Sequence, residues 1–154
     1  MKKTILFEFL YLSLSVIVGI LLMVLLCRTT NSENVFAFPV FGNNIQMSLG
    51  LMLTFFWLVS LFILTLTRQI KQQFNNYFHN LILVLVGLSL TYFLLSFIDV
   101  AQNMKTIFGK EFSAEKITNC YYEIILFSIF QIIIGIIIIK TIANSIKNIR
   151  RHSA

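Results

Sequence analysis

The chain has 154 residues, of which 58% are hydrophobic and only 12% charged, with a net charge of +6. Mean hydropathy is +0.87, and the apolar residues run in blocks. A soluble domain carries about 25% charged residues, so this composition excludes a soluble enzyme, a disordered chain and a disulfide scaffold. It predicts an all-α membrane protein: a single membrane domain forming an antiparallel four-transmembrane-helix bundle with both termini cytoplasmic.

A spanning helix needs about 20 mostly apolar residues, because the hydrocarbon core is roughly 30 Å thick. The first span is expected at about 5–27, with Glu8 as its only charge. Lys2 and Lys3 resemble the start of a signal peptide. The apolar stretch is too long for one, however, and no A-x-A site follows, so an uncleaved helix is expected. Pro39, Gly42, Asn43 and Asn44 interrupt the next apolar stretch, which places the second span at 47–66. The third runs over 81–98 and is closed by Asp99. The fourth is centred on Ile124–Ile139; Tyr121 and Tyr122 extend it outward as an aromatic belt, giving about 122–142.

Lys and Arg set the orientation. With the N-terminus inside, the inner segments hold eight basic residues and one acid, for a charge of +7. The outer segments hold four basic residues and five acids, for a charge of −1. The outer loops are then 28–46 and 99–121, the inner loop is 67–80, and 143–154 forms a basic inner tail. In the first outer loop the apolar run Val35–Phe41 is too short to span; it is expected to rest at the interface, cap the bundle or dock a partner. In the second, Ser113 before Ala114 and Glu115 reads as the N-cap of a short helix leading into the fourth span.

Little hydrophobic drive acts between helices in lipid, so small and weakly polar side chains mark their contacts. At 100° per residue each span shows one such stripe. These are Glu8, Tyr11, Ser15 and Gly19; Gln46, Gly50, Thr54 and Trp57; Ser89, Tyr92, Ser96 and Asp99; and Ser128, Gln131 and Gly135. Gly87 and Thr91 form a second small patch on the third span. The stripes are expected to be the bundle interior, or else a polar path or an oligomer seam. Trp57 lies mid-span, so its N–H needs an acceptor; Thr54, Ser60 and Gln131 are the candidates.

Acids inside a membrane are functional candidates by default. Glu8 is expected to pair with Lys140, or with Lys2 or Lys3, and Asp99 and Glu123 to sit at outer helix ends as solvated charges or an acidic vestibule. Cys27 and Cys120 both fall at the outer surface, where a disulfide would staple the first helix to the last. Neither a C-x-x-C pair nor a phosphate, zinc or haem motif occurs. The sequence therefore indicates no catalytic, cofactor-binding or metal residues. Lys140, Lys147, Arg150 and Arg151 are placed to meet anionic lipid headgroups, in preference to nucleic acid.

The functional expectation is a non-enzymatic integral membrane protein, an accessory, anchoring or sensing subunit of a larger complex with a protein partner or further copies of itself. The alternative is a small homo-oligomeric channel or transporter, including the membrane component of a bacterial stress or phage-defence system. The Lys-rich N-terminus and absent sequons suit a bacterial inner membrane.

Overall fold

A computed structural model describes residues 2–29, 35–40, 43–108 and 114–152, with side chains over 8–27, 40, 46–103 and 116–149. In chain order it comprises α1 (Lys2–Leu26), β1 (Arg28–Thr29), β2 (Val35–Val40), β3 (Asn43–Ser48), α2 (Leu49–Lys71), α3 (Tyr77–Phe108) and α4 (Ala114–His152). All four helices are long and apolar enough to cross a membrane. They outrun the spans read from hydropathy, because a helix does not stop where the hydrocarbon does. α4 in particular is one continuous helix from Ala114, with no separate lead-in segment. Ser113 lies outside the described residues.

The contacts lie in a row. α1 packs on α2, α2 on α3 and α3 on α4, while α1 and α4 share no extended interface among the described residues. Between α1 and α2, Glu8 meets Arg68 and Ser15 meets Ser60. Between α2 and α3, Phe55 meets Phe97, and Gln69 meets Asn76 in the turn just before α3. Between α3 and α4, Asn80 meets Ser145 and Phe97 meets Phe127. In each pair the partner's number falls as the chain number rises.

The core sits between α2, α3 and α4. Phe55 and Phe97 pack edge to face at 5.1 Å, and Phe97 reaches Phe127 at 5.4 Å. Such ring pairs add to simple area burial. Met52 and Leu83 are fully enclosed around them. At Gly87 a side chain would meet Ile138 of α4 at 2.9 Å and Phe62 of α2 at 3.3 Å. Side chains of three helices converge at that glycine.

The segment between α1 and α2, expected as a loop over 28–46, holds a three-stranded antiparallel sheet in the order β1-β2-β3. Val35 pairs with Ser48 and Val40 with Asn43, while β1 covers only Phe36 and Ala37. Pro39 thus lies past the end of β1, where its missing N–H removes no bond on that side. The Val- and Phe-rich composition suits a pleated strand. What the side chains of Val35–Pro39 and Phe41 touch lies outside the described residues.

The connection between α2 and α3, expected at 67–80, contracts to residues 72–76. Gln73 and Phe74 both hold a left-handed backbone (φ 52 and φ 58), which costs on the order of 1 kcal/mol or more per non-glycine residue. Three hydrogen bonds offset that cost. The Phe74 N–H donates to the Gln69 carbonyl, and the Phe74 carbonyl accepts from Asn80 and Asn148.

Candidate functional site

Glu8 lies in the first part of α1, after the apolar Ile5–Phe7, and the α1–α2 contact carries it to Arg68, one turn before α2 ends. The pair is bidentate. Arg68 Nη2 donates to Oε1 at 2.7 Å and Nη1 to Oε2 at 3.0 Å. His79, at the start of α3, places Nε2 3.2 Å from Oε2. A carboxylate only accepts, so Nε2 is the donor and carries the proton. The Arg68 guanidinium also lies 5.3 Å from the centre of the Tyr11 ring, within cation–π range. Three helices thus meet on one carboxylate.

Both charged side chains are about three-quarters covered, so the pair is more than a surface contact. Beside it, the Tyr11 hydroxyl lies within reach of Thr65, and His79 Nδ1 is buried without a hydrogen-bond partner among the described residues. The cluster fixes a charge and orients three helices; its atoms hold no nucleophile poised against a base. Among the described residues, no group of three His, Cys, Asp or Glu side chains converges.

A second polar seam lies further along α1 and α2. Ser15 is fully buried. Its Oγ accepts from Trp57 Nε1 at 3.0 Å, and its carbonyl accepts from Ser60. One turn on, a side chain at Gly19 would meet the Trp57 Cα at 2.9 Å. The stripe Glu8, Tyr11, Ser15 and Gly19 is therefore the α2-facing side of α1, as its spacing predicts.

The other stripes differ from expectation. Thr54 is exposed and its hydroxyl donates back to the Gly50 carbonyl, so the acceptor for Trp57 is Ser15 and not Thr54, Ser60 or Gln131. Ser89 and Ser96 likewise turn their hydroxyls onto their own helix. Tyr92 and Asp99 sit on the same outward side of α3. The side of α3 that packs carries Gly87 and Thr91, whose carbonyl accepts weakly from Gln131 at 3.4 Å. Gly135 faces open space and Ser128 is half-buried. Small residues mark a contact only when the larger ones beside them also turn inward, and on α2 it is Met52, Phe55 and Phe56 that do so.

Three further expectations change. Glu8 pairs with Arg68 and not with Lys140, because α4 lies at the far side of the row; the side chains of Lys2 and Lys3 are outside the described residues. Cys27 directly follows α1 and Cys120 lies near the start of α4, helices that share no extended interface, and no disulfide joins the two. Glu123 is buried whereas Asp99 is exposed, so the two do not line one acidic vestibule. Lys140 and Lys147 are exposed on α4, and the side chains of Arg150 and Arg151 lie outside the described residues.

Arg68 and His79 were legible only as a topogenic charge and an isolated imidazole. The signal that joins them to Glu8 is depth: Glu8 and His79 lie toward the N-terminal ends of α1 and α3, and Arg68 toward the C-terminal end of α2. Comparison with protein families, curated proteins and solved structures found no match to this chain.

Proposed function

We propose that the chain is a non-enzymatic integral membrane protein that serves as an accessory, anchoring or sensing subunit of a larger membrane complex. In this reading its helices form an antiparallel bundle with both termini in the cytoplasm of a bacterial cell, the Glu8 end facing inward. One observation carries it. Only 17% of the spanning window of α1 and 11% of that of α4 is buried, against 39% for α3. The outer two helices of the row therefore offer long apolar faces to lipid or to other proteins.

The interior favours a scaffold over a pore within one chain. The space between α2, α3 and α4 is filled by Phe55, Phe97, Phe127 and Leu83. Glu8, the best-placed charge for a polar path, is engaged on both oxygens. A pore between copies is the second reading, favoured by Tyr92, which stands mid-span on α3 and is 71% exposed. A phenol in hydrocarbon calls for a partner from another molecule.

Native mass spectrometry of the protein extracted gently from its own host separates the two. A stoichiometric second protein is the expected result. A closed ring of this chain alone would favour the pore, and flux through reconstituted liposomes would then be measured. A bare monomer would contradict both.

A further inference from the structure

α3 turns Phe93 and Phe97 toward α2 and sets Gly87 against Ile138 of α4. At 100° per residue Tyr92 then points away from both neighbours. It stands exposed in the middle of its span, and its hydroxyl has no partner among the described residues. On α4, Ser128, Gln131 and Gly135 share one side at helical spacing. Gln131 spends one amide hydrogen on the Thr91 carbonyl at 3.4 Å, and its Oε1 accepts no hydrogen bond among the described residues. That contact puts Gln131 at the depth of Tyr92, the next residue along α3, and on the adjoining flank of the α3–α4 pair. At Gly135, one turn along the same side, a side chain would meet nothing within 4 Å.

We propose that this flank of α3 and α4 is the contact with a second copy of the chain, the two related by a two-fold axis along the membrane normal. A phenol donor on one helix and a carboxamide acceptor on the next, both in mid-span and at one depth, complement themselves under that axis. Tyr92 of each copy donates to Gln131 Oε1 of the other, so the bond is made twice. All copies insert the same way round, because the same Lys and Arg residues direct each of them, and the depths stay matched. Gly135 leaves room for the ring of the other copy's Tyr92 and lets the helices approach. Lipid tails offer neither polar group a partner. A different protein would have to bring both an acceptor and a donor to that depth, and this chain already carries both. The inference rests on the helices lying in a bilayer, not on the identity of a further protein or on which side the termini face.

The test is disulfide crosslinking between two differently tagged copies in native membranes, with Cys27 and Cys120 replaced in both. Asp99 and Ile124 each lie one heptad from Tyr92 and Gln131, hence on the same sides of their helices, and the contact between Phe97 and Phe127 sets them at one depth. Asp99→Cys in one copy and Ile124→Cys in the other should give a crosslinked dimer under mild oxidation. The yield should stand well above that of Val24→Cys with Ile124→Cys, Val24 being exposed on α1 at the same end of the spans. Tyr92→Phe and Gln131→Leu should each lower the yield about fivefold, since two bonds between helices are lost, and together no further than either alone. Gly135→Leu, which meets nothing in its own chain, should remove the dimer. Trp57 emission should stay unchanged throughout, as the α1–α2 seam is untouched. A yield no higher than that of the α1 control, or one that Tyr92→Phe and Gln131→Leu both leave unchanged, would overturn the proposal. Neither result depends on a second protein, whose presence native mass spectrometry reports separately.

Discussion

The two sides of the row are held together in different ways. α1 joins α2 through a bidentate ion pair, an indole–hydroxyl bond and a close backbone approach at Gly19. α2, α3 and α4 join through edge-to-face and tilted rings and interlocked aliphatic side chains, with few polar ties in mid-span. In lipid, burying apolar surface between helices gains little over leaving it in the acyl chains, so tight packing and hydrogen bonds carry association. α1 keeps much of its surface free, and its ties are largely polar ones, to α2 and, through His79, to α3.

The sharpest way to break this contrast is Arg68→Ala. It leaves the Glu8 carboxylate partly desolvated with only His79 beside it, and the loss should be on the order of 2–3 kcal/mol in unfolding titrations. Glu8→Gln combined with Arg68→Gln should recover part of that loss, because neither charge is then stranded. Equal stability of Arg68→Ala and the parent would remove the ion pair from the account.

Next comes Gly19→Leu, which drives a side chain against the Trp57 backbone and should cost about 2 kcal/mol. Gly135→Leu places the same side chain in open space on α4 and should be neutral within about 0.5 kcal/mol. The pair reads out close approach itself, since both glycines are helical and both lie in spans. A smaller effect is expected for Trp57→Phe, which keeps the ring but deletes the bond to Ser15. About 0.6–1 kcal/mol should be lost, with little change when Ser15→Ala is already present.

The spans and their number were legible because hydropathy over 20 residues is a sum, insensitive to any one position. The α1 stripe was legible because Glu8, Tyr11, Ser15 and Gly19 all lie on the side of α1 that packs. For α2 and α3 the same rule selected the wrong side. Both touch neighbours in several directions, and hydroxyls such as Thr54 and Ser89 satisfy themselves on their own helix, which makes them tolerable toward lipid. The sheet was hidden because seven mostly apolar residues between two spans carry no alternation of polarity to reveal a strand. The Glu8–Arg68–His79 cluster depends on which helices are neighbours, and a closed bundle would have brought Glu8 toward Lys140. Order in the row, not composition, decides that partner.

The order of the row is therefore the central claim, and cysteine crosslinking in native membranes tests it most directly. With Cys27 and Cys120 replaced, Ser15→Cys is combined with Ser60→Cys in one protein and with Ile134→Cys in another, and both are oxidised mildly. The account predicts rapid intramolecular crosslinking of the first pair and none of the second, because α1 rests on α2 and away from α4. Crosslinking between positions 15 and 134 within one chain, with none between 15 and 60, would contradict it.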